Sequence, residues 1–149
     1  MTEVDRLILN EIQDNFPLSA QPYQDIASRI GIDESEVIYR IGELKDKGII
    51  RRIGGILDSR SLGFFSTLCA TRVPEDQLNK VGEKINQLPG VTHNYVRDFE
   101  WNMWFTLTTE SKEEALSLIQ ALEQELQIQI KNMPAKKVYK IKVSFDMGE

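Results

Sequence analysis

Val91-Thr-His-Asn-Tyr-Val-Arg-Asp98, followed after a short turn by Asn102-Met-Trp-Phe-Thr-Leu107, predicts a β-hairpin with two unlike faces. Successive side chains of a strand point to opposite sides. His93, Tyr95 and Arg97 therefore share a face of the first run. In the second, Met103, Phe105 and Leu107 form an apolar face, and Asn102, Trp104 and Thr106 point the other way. Paired, the two runs give one apolar face and one face with an imidazole, a phenol, a guanidinium and an indole. An antiparallel sheet needs only one buried face. The other is free to hold a ligand, and it carries the only histidine of the chain.

Outward from the hairpin, strands and helices alternate. Phe64–Val73 reads as a strand. Pro74 opens a helix running to Leu88, which Pro89-Gly90 ends. Ser111, with Glu114 three residues later, caps a helix to about Gln127. Lys137–Phe145 reads as a last strand through Val138, Tyr139, Ile141, Val143 and Phe145. The order β-α-β-β-α-β is the split βαβ, ferredoxin-like arrangement. Upstream, Val4, Leu7, Ile8, Glu11 and Ile12 have helical spacing. Tyr23–Ile30 is a second helix stopped by Gly31. A third is capped by Asp33 with Glu36 in capping-box position and ended by Gly48. Ile49–Leu57 reads as a wing or a linking strand. The predicted class is α+β: a winged helix-turn-helix domain over 1–50, a linking strand over 51–62 and a ferredoxin-like βαββαβ domain over 63–149.

Size and charge narrow the function. The 149 residues suffice for a real core. No apolar run reaches the roughly 20 residues of a membrane helix, and Met1-Thr-Glu-Val-Asp-Arg6 lacks the order of a signal peptide. With a single cysteine, Cys69, there is no internal disulfide and no cysteine zinc cluster. The expectation is a soluble cytoplasmic protein. Residues 1–50 hold ten acids and five bases, so they carry the whole net charge of −5. Asp33–Lys47, where a recognition helix would lie, has five acids against three bases. DNA affinity rests on Lys and Arg neutralising phosphates, and a recognition helix turns its N-terminal residues to base edges. Here those residues are Asp33-Glu-Ser-Glu36, which argues against DNA as the partner. Dimerisation, or helping to enclose a site, suits this segment better.

Several residues are candidates for binding and chemistry. Arg51 and Arg52, adjacent on an extended segment, are suited to carboxylate recognition; a solvated pair is the plainer alternative. His93 has the chemistry of a general acid or a metal or haem ligand. An aromatic lining with a cation suits a large planar anion. Trp101 is either a rim residue or a turn aromatic packed on the helix below. One histidine without a nucleophile partner leaves no Ser-His-Asp set, and neither a P-loop nor GxGxxG is present. Any metal would have to arrive with the ligand.

The helix-turn-helix followed by a ferredoxin-like domain resembles the Lrp/AsnC regulators. A closer resemblance is carried by Arg51-Arg-Ile-Gly-Gly55, Leu62-Gly-Phe64, Ser66-Thr-Leu-Cys-Ala70, Pro89-Gly-Val-Thr-His-Asn-Tyr-Val-Arg97 and Asn102-Met-Trp-Phe-Thr106. These runs resemble the sirohaem decarboxylases, paired subunits of the alternative haem route and their relatives in haem d1 synthesis. The resemblance covers roughly residues 5–146. It implies removal of CO2 from two acetate side chains of sirohaem, giving 12,18-didecarboxysirohaem. It implies no cofactor beyond the iron tetrapyrrole substrate, and a homo- or heterodimer with a paralogous Lrp-like subunit. On this resemblance His93, Tyr95 and Arg97 are the catalytic candidates, with His93 either a proton donor or an axial ligand to the substrate iron. Arg51, Arg52, Asn94, Asn102 and Trp104 are the substrate-binding candidates. The other expectations left standing are an Lrp-type regulator and a non-catalytic tetrapyrrole-binding subunit.

Overall fold

Three helices open the chain: α1 (Glu3–Asp14), α2 (Pro22–Ile30) and α3 (Glu34–Asp46). The computed structural model describes residues 1–141 and 144–148. These divide into two units, one of Met1–Ile56 with the segment from Lys140 onward, the other of Leu57–Tyr139.

In the first unit, α1 starts on a capping box. Thr2 Oγ1 accepts from the Asp5 amide at 3.2 Å, and the Asp5 carboxylate accepts from the Thr2 amide at 2.6 Å. Helix α2 begins with Pro22, whose missing N–H is not needed at a first helical position. It stops at Gly31, whose φ of +75° is the left-handed conformation that glycine adopts without a Cβ clash. The apolar faces of the helices bury Ile8, Leu9, Ile26, Ala27, Val37, Ile41 and Leu44 together with Ile50. Burial of each of the larger side chains contributes about 1.5–3 kcal/mol. The capping box expected at Asp33 does not form, because Glu36 turns the other way and pairs with Arg40 at 2.6 Å. The end of the chain returns to α1: the Gln13 amide bonds both backbone groups of Phe145, and Asn10 bonds the amide of Met147.

The second unit contains β1 (Phe65–Thr71), a 3-10 turn at Glu75–Gln77, α4 (Leu78–Asn86), β2 (Val91–Val96), β3 (Met103–Thr109), α5 (Lys112–Leu126) and β4 (Ile130–Met133). The strands form one antiparallel sheet in the order β2-β3-β1-β4, which is the expected βαββαβ arrangement. Helices α4 and α5 cover one face. Between them and the sheet lie Cys69, Val81, Ile85, Met103, Phe105, Leu107, Ala115, Ile119, Leu122 and Ile130. Gly90 lets β2 start hard against β3: its carbonyl accepts from the Thr108 amide at 2.8 Å, and an added Cβ would stand 2.1 Å from the Thr108 oxygen.

Three expectations are corrected. The helix expected from Pro74 begins at Leu78, because the Pro74 carbonyl accepts from the Gln77 amide at 2.9 Å and tightens the first turn to 3-10 geometry. The linking strand expected over 51–62 is not formed; residues 51–57 carry no strand, and a turn follows, with Asp58 accepting from the Ser61 amide at 2.8 Å. Both edges of β1 are already taken, by β3 and β4. The last strand is Ile130–Met133 and not Lys137–Phe145. A short turn after α5, anchored by the Ile130 amide on Glu123 at 2.7 Å, brings Ile130 to the edge of β1 first. Val138, Tyr139, Ile141 and Phe145 remain exposed, and Lys142 and Val143 lie outside the described residues.

Candidate functional site

The expected hairpin forms, with Tyr95 opposite Trp104 and His93 opposite Thr106. Along β3 burial alternates, with Met103, Phe105 and Leu107 at 1%, 0% and 0% exposure. Trp104 and Thr106 lie on the sheet face opposite α4 and α5. On β2 the His93 and Tyr95 rings stand 6.0 Å apart with planes 30° from parallel. The Arg97 guanidinium carbon lies 6.0 Å from the Tyr95 ring centre. These three groups thus form one row, as alternation requires. Strict alternation fails at Thr92, where a β-bulge falls between Val91 and His93. Thr92 is thereby turned toward His93 and Thr106. Its hydroxyl lies 3.0 Å from His93 Nδ1 and 2.7 Å from Thr106 Oγ1.

The remaining strands extend this open face. Ala70 of β1 pairs with Trp104 on one side and Lys131 of β4 on the other; Leu68 pairs with Thr106 and Met133. The Trp104 indole N–H donates to the carbonyl of Trp101. The Trp101 ring takes the Lys131 ammonium at 3.9 Å and the Arg72 guanidinium at 5.2 Å, and Arg72 also pairs with Glu100. Trp101 is therefore held at the sheet by two cations. Arg72 and Lys131 are functional candidates that sequence reasoning missed. The signal for Lys131 was the alternation Ile128-Gln-Ile-Lys-Asn-Met133, which marks a strand. Four strands at about 4.8 Å spacing put roughly 14 Å between the outer two. That breadth, with aromatic rings, a histidine and cations, offers one flat wall for a planar anion. An open cleft of about 610 Å³ in this unit adjoins Trp101 at the edge of this face, between Arg72, Val73 and the end of α5, and includes neither His93 nor Tyr95.

Four candidates are not on this face. Asn94 points to the helix side, where its Nδ2 donates to Asn86 Oδ1 at 3.0 Å and more weakly to the Gly82 carbonyl at 3.4 Å. Asn102 clips the end of β1: its Nδ2 donates to the Val73 carbonyl at 2.7 Å, and its Oδ1 accepts from the Val73 amide at 2.9 Å. Both asparagines are thus engaged within the fold. Arg51 and Arg52 belong to the first unit, are exposed, and have no hydrogen bond or ion pair among the described residues. In that unit, Arg40 of α3 is held by Asp5 at 2.9 Å and Glu36 at 2.6 Å, and Lys47 by Glu43 at 2.9 Å. Cys69 is fully buried, which pushes its thiol up to about 12. Among the described residues no group of three His, Cys, Asp or Glu side chains could hold a metal ion. None of their helices is long and apolar enough to cross a membrane.

Comparison with known proteins places this geometry. Residues 5–51 match the family model described as the siroheme decarboxylase NirDL-like HTH domain, and residues 61–140 that of an AsnC-like ligand binding domain. The chain is 45% identical to a "siroheme decarboxylase alpha subunit" of Desulfovibrio desulfuricans, over 99% of its own length and 85% of the relative's. A crystal structure of the siroheme decarboxylase NirDL in co-complex with an iron-uroporphyrin III analogue is similar with a TM-score of 0.69 and 31% identity, across 97% of this chain and 48% of that one. Escherichia coli AsnC aligns with a TM-score of 0.81 at 16% identity, over 96% of this chain and 97% of that one, a likeness of fold alone. The architecture is thus that of the Lrp/AsnC proteins, but the near-full-length identity and the helix-turn-helix model single out one branch of it: the chain belongs to the sirohaem decarboxylase family.

Proposed function

We propose that this chain is a sirohaem decarboxylase subunit and binds its substrate on the open face of the sheet. It removes CO2 from two acetate side chains of sirohaem to give 12,18-didecarboxysirohaem in haem biosynthesis. The observation that carries the reading is the row His93, Tyr95 and Arg97 on the sheet face opposite α4 and α5, beside Trp104, in a chain 45% identical over nearly its full length to a siroheme decarboxylase subunit.

In each step the bond between the acetate carboxylate and its methylene breaks and CO2 leaves. The bonding pair flows into the pyrrole ring that bears the methylene. That carbon then takes a proton and becomes a methyl group. The balance is redox-neutral, and the iron comes with the substrate. The protein has to orient the carboxylate and deliver the proton. Arg97 holds carboxylates, and Arg72 and Lys131 extend the positive rim across the sheet. Arg51 and Arg52, exposed in the first unit, have side chains suited to carboxylates. Trp104 lies against the macrocycle, and Tyr95 hydrogen-bonds the reacting group. His93 is the proton donor. His93 Nδ1 meets threonine hydroxyls, which hold the ring with Nε2 free for proton donation.

A flat wall covers one side of a planar ligand, whereas binding sites enclose most of it. A paralogous subunit supplies the second cover. Two observations support this: relatives are named as alpha, NirD and NirG subunits, and this chain matches less than half of the length of NirDL. The first unit suits DNA poorly: it is acidic, and of the bases over Asp33–Lys47, Arg40 and Lys47 are engaged by acids.

Anaerobic incubation with sirohaem, alone and with a paralogous subunit, tests the reading by mass spectrometry. Loss of two CO2 masses is expected. No mass change in either arm overturns catalysis, and retention of bound sirohaem in that case would leave a tetrapyrrole-binding subunit.

A further inference from the structure

The β-bulge at Thr92 puts two hydroxyls where alternation alone would leave one. Thr92 Oγ1 stands 3.0 Å from His93 Nδ1, Thr106 Oγ1 stands 3.5 Å from the same nitrogen, and the two hydroxyls are 2.7 Å apart. We propose that Thr92 and Thr106 are positioning residues that hold His93 by Nδ1, so that Nε2 is the proton-donating atom on the open face. The inference rests on the decarboxylase reading above for its function, but not for its geometry.

The partner of one imidazole nitrogen determines which nitrogen keeps the proton. A histidine in water favours the Nε2–H form when neutral. A neutral ring of that kind is a poor donor from Nε2, since losing that proton leaves an imidazolate. The useful donor is the imidazolium. It gives up the Nε2 proton and keeps Nδ1–H, and a partner must accept from Nδ1–H before and after transfer. Thr92 Oγ1 can accept that bond while its own hydroxyl donates to Thr106 Oγ1. The pair adds no charge, so it orients the ring without competing electrostatically for anionic substrate. The other groups on this face near the ring are Tyr95 on the same strand, Arg97 one alternate position further on, and Trp104 on β3. None is a carboxylate that would take over Nδ1.

Because the chain has one histidine, a long-range proton–nitrogen-15 spectrum shows a single imidazole and needs no assignment. Neutral His93 is expected to be in the Nδ1–H form. Thr92→Val and Thr106→Val should move it toward Nε2–H, while Thr92→Ser and Thr106→Ser should leave it in place. With sirohaem, and the paralogous subunit where turnover needs it, the valine variants should lose about tenfold in kcat with KM retained. The serine variants should recover it, which separates loss of the hydroxyl from loss of packing. A neutral wild-type ring in the Nε2–H form, or valine variants with an unchanged spectrum, overturns the proposal. The spectrum does not depend on turnover. A chain that never decarboxylates sirohaem therefore removes the functional reading, while the tautomer still decides the role of the threonines.

Discussion

Asn102→Ala should destabilise the second unit by about 2–4 kcal/mol, an effect on folding before any on ligand affinity. The Asn102 amide makes two hydrogen bonds to the backbone of Val73, at 2.7 and 2.9 Å. Val73 is 2% exposed and lies just past the last ladder pair between β1 and β3, Thr71 with Met103. The side chain therefore continues the ladder where the strands part. Truncation strands one buried N–H and one buried C=O. Each orphaned group costs about 1–3 kcal/mol, and water entering the gap recovers part of the sum. Asn102→Asp keeps the acceptor for the Val73 amide but loses the donor to its carbonyl, so it should fall between wild type and alanine. Urea unfolding followed by tryptophan fluorescence measures this directly, because both tryptophans, Trp101 and Trp104, flank the clip. With a slope near 2 kcal/mol per molar urea, the alanine midpoint should drop by about 1–2 M. A drop worth less than about 0.5 kcal/mol, together with weakened tetrapyrrole binding, would refute the clip and return Asn102 to the ligand.

Further outcomes follow from the same geometry. His93→Ala and Arg97→Ala should each lower decarboxylation by about 100-fold or more while leaving the melting temperature unchanged, since both side chains are exposed; wild-type rates in both variants would remove the site assignment. Thr71→Val should raise stability by about 1 kcal/mol, because Thr71 is fully buried and its hydroxyl has no hydrogen-bond partner; a fall in the unfolding midpoint would contradict this. The Asp5 carboxyl is held below its ordinary range, first by the Thr2 backbone amide and then by Arg40. Its contribution is therefore present above the ordinary carboxylate value and is lost as pH falls through the lowered one. The stability gap between wild type and Asp5→Asn should be open near neutral pH and close in acid; a gap unchanged by acid would refute the pairing.

The order of elements and the two faces of the hairpin were legible in the residues themselves. Met103, Phe105 and Leu107 alternate with Trp104 and Thr106, and a strand converts that alternation into a buried and an open side without further information. The same holds for His93, Tyr95 and Arg97. The last strand was misplaced for a related reason. Val138, Tyr139, Ile141 and Phe145 have strong strand preference, and Ile128-Gln-Ile-Lys131 a weaker one. Preference does not say which segment reaches the free edge of β1, and the short turn after α5 delivers Ile130 there first.

Sequence by itself therefore determined the local periods: which segments are helices, which side of a strand is apolar, and that the acidic first fifty residues suit DNA poorly. Tertiary structure decided everything that depends on what lies opposite. An asparagine amide has the same chemistry on a ligand as on a backbone, and only the packing of α4 and the end of β1 committed Asn94 and Asn102 to the fold. One extra residue in β2 turned Thr92 toward His93, a shift of partner that no period of two contains. Strand pairing joins residues far apart in the chain, so the cations Arg72 and Lys131 met Trp101 only once the sheet had closed its register.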